Sequence, residues 1–297
     1  MEKGFNNIGN SCFFNSALQL LKIPLYNIIT KYQLSLSSNN DIYNSIIDLF
    51  NSIYNDSNYN SSYKSLYIFF MTKFKYSIFS QQDSSEVIQF ILDTINDILP
   101  TKKNTCIAWN QIISCNLCNK YKIYNTQYDN ILYSYTLNTS NSNNKYMEFE
   151  NFLQETLNQT NITNSDFKCN CNNSNNIYIQ HAITHLPQYL FINIARYNNS
   201  IHKNSTSLEI ANIFNITTPV NLIDKINNSN NNYNNNIYKL IGIVVHHGNS
   251  LNGGHYITYL KINNNWKLFN DNHVSDIDLN LYDESIMKNA CILLYQL

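Results

Sequence analysis

The sequence predicts an α+β fold of two lobes, and three observations carry that reading. Apolar residues recur at helical spacing in two stretches of the first third, over 12–22 and 84–99. Short runs of β-branched and aromatic residues crowd the second half. Asn-Gly, Gly-Gly and Asn clusters separate those runs. Helices first and strands afterwards is the order of segregated helix and sheet, not of alternating βαβ units. At 297 residues the chain can bury a sizeable core as one large domain or two lobes.

In the first stretch, Phe14, Ala17, Leu18 and Leu21 fall on one helical face. In the second, Ile88, Ile91, Leu92, Ile95 and Leu99 do the same. Asp83 followed by Glu86 has capping-box spacing at the start of that helix, and Pro100 lies just past its end. The expected strands are Tyr189–Tyr197, Tyr238–His246, His255–Ile262, Trp266–Phe269 and Cys291–Gln296. Asn138–Lys145, Asn172–Asn176 and Asn227–Asn236 are low in complexity and read as exposed loops. No fixed-period repeat is present.

Composition narrows the function. The formal net charge is −1, so neither a nucleic-acid-binding field nor a polybasic membrane patch is expected. Charged residues make up 13% of the chain and Asn about a fifth, so a motif built mainly from Asn carries little weight. Arg occurs only at Arg196. No signal-peptide pattern opens the sequence, and no apolar run approaches the ~20 residues that span a bilayer. A cytoplasmic or nuclear location is therefore expected, with the Asn-x-Ser/Thr triplets a by-product of the Asn bias. Seven cysteines in such a chain point to catalytic or metal roles rather than to a disulfide framework.

Cys12 stands where a loop containing Gly9 enters the first helix. The first-turn N–H groups and the positive end of a helix favour a thiolate there. The bland alternative is a small buried hydrophobe. Asn7, a short loop upstream, has an amide suited to donate to an oxyanion. His255 follows Gly253 and Gly254 at a loop-to-strand junction. Two adjacent strands joined by a short turn would bring Asn270 beside it, where its amide oxygen would fix the tautomer. The alternative is a tight hairpin carrying a solvated His.

These segments resemble a known family. Gly4-Phe5-Asn6-Asn7-Ile8-Gly9-Asn10-Ser11-Cys12-Phe13-Phe14-Asn15-Ser16-Ala17-Leu18-Gln19 is similar to the cysteine box of the ubiquitin-specific proteases. Phe5, Ser11 and Phe13 replace the family's Leu, Thr and Tyr. His246-His247-Gly248, Gly254-His255-Tyr256 and Trp266…Phe269-Asn270-Asp271…Val274 resemble its histidine box. The resemblance implies Cys12 as nucleophile, His255 as base, Asn270 as its orienting partner, Asn7 as oxyanion donor and Asp271 as a second polar partner. His246 and His247 are rival bases, ranked lower because the family's base precedes Tyr.

Ser80-Gln81-Gln82-Asp83-Ser84-Ser85-Glu86-Val87 looks like the family's Gln-Gln-Asp-x-x-Glu element. Asp83 and Glu86 then have two compatible readings, a helix cap and a carboxylate pair facing the basic tail of ubiquitin. Gln82, Gly254 and Tyr256 join them as expected tail contacts. His185–Leu190, Ile194–Tyr197 and Ala290–Tyr295 resemble core strands of the family, with Ala195 in place of its Lys and Cys291 as inert packing. Cys115-x-x-Cys118 and Cys169-x-Cys171 resemble its zinc ribbon, although the second pair is one residue short of the usual knuckle. Cys106 has no evident partner and is expected to be structural.

The resemblance spans Gly4 to Tyr295 and implies a papain-like fold of thumb, palm and fingers. One catalytic domain covers 1–297, with the helical thumb over about 1–105, the fingers over about 110–180 and a mostly β palm in the remainder. Its implied activity is hydrolysis after the C-terminal glycine of ubiquitin, with no cofactor for catalysis and either a structural zinc or a degenerate ribbon with free or buried thiols. The implied partners are ubiquitin and ubiquitinated proteins, with a monomer favoured. A catalytically weak ubiquitin-binding module and a protease for another ubiquitin-like modifier are the alternatives.

Overall fold

The computed structural model describes residues 2–33, 39–99, 101–115, 120–123, 126–133, 146–147, 149, 171, 177–198, 202–219 and 233–297. The architecture is α+β, with helices leading and strands following. Helix α1 is Cys12–Tyr32, α2 Asp41–Tyr54, α3 Asn60–Lys73, α4 Ser84–Ile98 and α5 Lys102–Thr105. The helix expected over 12–22 continues ten residues further, through Pro24. Helix α4 ends one residue early, because Pro100 drives Leu99 into an extended conformation at φ −125° and ψ 150°.

Helices α2 and α3 were not expected from the sequence. Asn and Ser, weak helix formers, lie between their apolar positions. Burial decides the matter: Tyr43, Ile46, Phe50 and Ile53 line one face of α2, and Tyr63, Leu66, Tyr67 and Phe70 line one face of α3. The Asn40 side chain caps α2, accepting from the N–H groups of Ile42 and Tyr43.

The strands follow in chain order: β1 Ile107–Cys115, β2 Lys120–Ile123, β3 Gln127–Asp129, β4 Ile131–Tyr133, β5 Tyr146–Met147, β6 Ile177–His185, β7 Tyr189–Asn193 and β8 Tyr197–Asn198. After them come β9 His202–Lys203, β10 Ser207–Leu208, β11 Ile213–Pro219, β12 Tyr233–Ser250, β13 Gly253–Ile262, β14 Asn265–Asn270, β15 His273–Asp276, helix α6 Glu284–Asn289 and β16 Ala290–Gln296. Four of the five expected strands are present with shifted ends, and the expected Tyr189–Tyr197 strand is broken after Asn193, with Tyr197 starting β8. The loop expected over 227–236 is corrected at its end: residues 233–236 belong to β12, where Asn234, Asn235 and Asn236 pair with Thr218, Thr217 and Ile216. Residues 227–232, 138–145 and 172–176 lie outside the described part.

The large sheet has the order β15-β14-β13-β12-β16-β7-β4, with β11 also on β12. Both faces of its central strands are covered. Val244, Ile292 and Leu294 pack with the helices, while Ile243, Val245, Leu293 and Tyr295 pack into a second cluster on the other face. Double burial explains why these strands read as continuous apolar runs. A separate sheet is built from β2, β1 and β3 with β6 on β1.

Arg196 is buried and gives its guanidinium hydrogens to four backbone carbonyls: Ala290 at 2.7 Å, Asn204 at 3.1 Å, Thr206 at 2.6 Å and Met287 at 2.6 Å. Burial lowers its pKa to about 10. The four bonds offset that cost and tie the end of α6 to the 204–206 segment.

Candidate active site

The site is assembled where α1 begins and β13 begins. Gly9 at φ +107° and Asn10 at φ +50° bend the chain into the helix. A Cβ at Gly9 would lie 2.9 Å from the Phe79 ring, and Asn10 Nδ2 donates to the Phe79 carbonyl at 2.8 Å. Cys12 is the first residue of α1 and only 3% exposed. Strand β13 lies against this helix, fixed by the Thr258 hydroxyl donating to the Ser16 carbonyl at 3.0 Å. His255 stands three residues before Thr258.

Cys12 is the largest cause of a His255 pKa raised to about 9. Partial burial opposes the rise, and Asn270 and Asp271 add to it. His255 Nε2 lies 2.6 Å from Asn270 Oδ1. The two residues meet because β13 and β14 pair up to Thr258 opposite Phe269 and then run on side by side.

Asp271 occupies the turn into β15 at φ +50°. Its carbonyl accepts from the Phe5 N–H at 2.9 Å, and a Cβ at Gly4 would strike that carbonyl at 2.4 Å. The N-terminal segment is thereby pressed onto the turn, and Asn7 Nδ2 reaches Asp271 Oδ2 at 2.9 Å. Lys22 backs the same segment from inside. It is fully buried, donates to the Lys3 carbonyl at 2.5 Å and sits 4.7 Å from the Phe269 ring centroid. Burial lowers its pKa to about 7, with Glu2 opposing.

The rival histidines are placed differently. His246 is fully buried, with Nε2 3.0 Å from Gln81 Nε2 and Nδ1 on the Tyr197 hydroxyl. Its ring stacks on Tyr256 at 4.1 Å, which leaves Tyr256 itself 2% exposed. Burial, then Lys203, His247 and His255, lower its pKa to about 3, so it is neutral. His247 is exposed, opposite His255 in the ladder, and its pKa is also lowered, chiefly by desolvation. Gly254 has φ +144°, and a Cβ there would come within 2.5 Å of both His246 Nε2 and the His247 carbonyl.

Half of the expected capping box is present. Asp83 accepts from the Ser85 N–H at 2.8 Å. Glu86 does not reach back to Asp83; it accepts from the Tyr76 hydroxyl at 2.9 Å. Burial raises the pKa of both carboxylates. Gln82 donates to Ser80 Oγ at 2.6 Å.

Cys115 ends β1, and its sulfur lies 3.5 Å from that of Cys171. Two thiolates on one tetrahedral zinc, at Zn–S distances of about 2.3 Å, stand about 3.8 Å apart, so this pair fits one edge of such a site. Cys118 and Cys169 lie outside the described residues. Among the described residues no cluster of three or more metal-ligating side chains occurs, and no helix is long and apolar enough to cross a membrane. Cys106 is buried and donates to Asn130 Oδ1 at 2.9 Å. Cys291 is buried against the Val244 carbonyl at 3.3 Å.

The family model for ubiquitin carboxyl-terminal hydrolase matches residues 3–295. The chain belongs to this family.

Among curated relatives, ubiquitin carboxyl-terminal hydrolase 8 of Saccharomyces cerevisiae is 28% identical over 244 residues, covering 73% of this chain and 49% of that protein. The match thus spans about half of the yeast protein's length. Ubiquitin carboxyl-terminal hydrolase 12 of Salmo salar is 25% identical over 344 residues, covering 99% of this chain and 89% of that one. Among solved structures, the SAGA Ubp8 DUB module bound to ubiquitin aldehyde aligns with a TM-score of 0.74 at 22% identity, over 99% of this chain and 69% of that one. The same module with an alanine-for-cysteine Ubp8, bound to monoubiquitin, gives 0.73 at 21% identity, over 100% and 70%. These likenesses show that the fold is the one seen in that module.

For a ubiquitin carboxyl-terminal hydrolase of this kind, sequence reasoning missed several supporting residues. Ser11 and Asn15 lie inside the cysteine segment, yet no role was read for them. Both bond into the Asn7–Asp271 pair, as does Tyr63 through them. Tyr63 has no local signal at all. Tyr76 and Tyr197 likewise became visible only through their partners Glu86 and His246.

Proposed function

We propose that this chain is a cysteine-type deubiquitinase, hydrolysing the peptide or isopeptide bond after the C-terminal glycine of ubiquitin. The single observation that supports the reading is the His255–Asn270 bond of 2.6 Å on strands packed against the helix that Cys12 opens. Cys12 passes its proton to His255, and the imidazolium is steadied by Asn270. The thiolate attacks the glycine carbonyl carbon, forming the C–S bond and an oxyanion. Asn7 and the Cys12 N–H stabilise that charge, with Asp271 holding the Asn7 amide. Collapse breaks the C–N bond, and His255 returns its proton to the leaving amine. His255 then takes a proton from water, whose oxygen displaces the sulfur from the thioester.

Gln82, Asp83, Glu86 and Gly254 form the tail channel; Tyr256, expected there from the sequence, is buried against His246 and backs the channel instead of lining it. Burial disfavours the charged forms of Asp83 and Glu86, and an incoming cationic side chain would offset that cost. The helices form the thumb, the large sheet the palm, and the β1–β6 sheet the fingers. A zinc held by Cys115 and Cys171 with Cys118 and Cys169 would brace the fingers and take no part in the reaction. The protein acts in the cytoplasm or nucleus on ubiquitin conjugates, as a monomer.

Turnover of a fluorogenic ubiquitin C-terminal amide by the wild type and by Cys12→Ala tests this. Turnover in the wild type and none in the variant is expected. Equal turnover in both ends the assignment. Binding of ubiquitin without turnover identifies a binding module, and turnover only of another modifier's amide identifies a different specificity.

A further inference from the structure

We propose that Tyr63 and Asn15 are positioning residues for the oxyanion donor, acting through Asp271 and Ser11; this rests on the deubiquitinase reading above. A carboxylate only accepts hydrogen bonds, and an amide presents a donor end and an acceptor end. Asp271 Oδ1 takes Asn15 Nδ2 at 2.7 Å, and Oδ2 takes Asn7 Nδ2 at 2.9 Å. The one carboxylate thereby fixes the orientation of both amides.

The acceptor ends are held as well. Asn15 Oδ1 accepts from the Tyr63 hydroxyl at 2.5 Å. Asn7 Oδ1 accepts from the Gly9 N–H at 3.0 Å, the Ser11 N–H at 3.1 Å and the Ser11 hydroxyl at 3.3 Å. The Tyr63 hydroxyl also donates towards Ser11 Oγ at 3.2 Å, its one hydrogen shared between Asn15 and Ser11, which closes the ring. Five side chains from the cysteine loop, α1, α3 and the β14–β15 turn make one circuit. Tyr63, Asn15 and Ser11 are buried, and Asn7 is the member exposed at the cleft.

The circuit engages one hydrogen of Asn7 Nδ2 and leaves the second for the substrate oxygen. It works as preorganisation: the donor is aimed before charge develops, so no reorientation is needed during the step. Tyr63 is the tie between the two arms. It touches Asn15 on the Asp271 side and Ser11 on the Asn7 side, and it belongs to a different helix from either.

The test is a double-mutant cycle on ubiquitin-amide hydrolysis, with kcat and KM measured for wild type, Tyr63→Phe, Asn7→Ala and the double variant. Tyr63→Phe is expected to lower kcat on the order of tenfold at unchanged KM, a fraction of the 10²–10³ lost when a donor is deleted outright. In the Asn7→Ala background the same change is expected to cost nothing further. Unchanged kcat in Tyr63→Phe, a rise in KM instead, or an equal loss in both backgrounds overturns the proposal. Should Tyr63→Phe fail to fold, Asn15→Leu, close in shape, carries the same cycle with the same outcomes. Undiminished turnover in the single Asn7→Ala protein overturns the oxyanion reading itself, and is distinguishable from an additive cycle.

Discussion

His255 Nε2 stands 2.6 Å from Asn270 Oδ1. Because Oδ1 only accepts, Nε2 carries the proton, and Nδ1 is the nitrogen left for Cys12. The amide fixes the tautomer while adding no charge.

Asn270 therefore controls the alkaline edge of activity. His255 stays protonated up to about 9, first because of Cys12 and further because of Asn270. The imidazolium is lost as pH rises through that value. Asn270→Ala removes one raising contribution, so the alkaline limb of kcat/KM is expected to move down in pH, with a fall in its plateau of about 10–10³-fold. An unmoved limb would show that Asn270 does not set the base.

Asp83 caps α4, and one substitution separates that from the tail contact proposed for it. Asn is as good an N-cap as Asp, so Asp83→Asn keeps the bond to the Ser85 N–H and the stability of α4. It removes the charge offered to the ubiquitin tail. KM for a ubiquitin amide is expected to rise about tenfold or more, the scale of a charge-assisted hydrogen bond, while the melting temperature holds. Glu86→Gln should behave alike. A lowered melting temperature with unchanged KM would leave only the capping role.

His246 gives the protein an acid liability. Its folded pKa of about 3 lies below the ordinary value of 6.5, so the unfolded chain takes up a proton in that interval and the native state does not. Burial enforces this first, with Gln81, Tyr197 and Tyr256 enclosing the ring, and Lys203 on β9, His247 on β12 itself and His255 on β13 add to it. Stability is expected to fall as pH drops from about 6.5 towards 3, by at most about 1.4 kcal/mol per pH unit for this group. His255 acts with the opposite sign: its stabilising contribution is complete below about 6.5 and is lost as pH rises through about 9. Urea midpoints against pH for wild type and His246→Gln check the first claim. The variant should start lower at neutral pH and show a flatter acid slope. Parallel slopes would contradict it.

Much of this was legible in the residues, and the limits have physical causes. Cys12 at a loop-to-helix junction and His255 after paired glycines are local patterns, and each local pattern fixes a local backbone. Strands buried on both faces announce themselves as unbroken apolar runs, as in Cys291–Tyr295. Helices α2 and α3 did not, because long-range burial rather than propensity stabilises them. Tyr63 lies about fifty residues from Asn15 and nearly everywhere among Ser, Tyr and Asn, so only the folded chain reveals the bond between them. Glu86 fitted a capping box by spacing, yet a phenol from a loop outcompeted the helix end for it. Arg196 stands out as the sole arginine, but carbonyl partners from two segments leave no side-chain pattern to read.

Peptide mapping after reaction with a ubiquitin probe bearing a C-terminal electrophile tests the central claim most directly. One ubiquitin attached to the peptide containing Cys12, and no adduct in Cys12→Ala, is the expected result. An adduct on any other cysteine, or one that persists in Cys12→Ala, would contradict it.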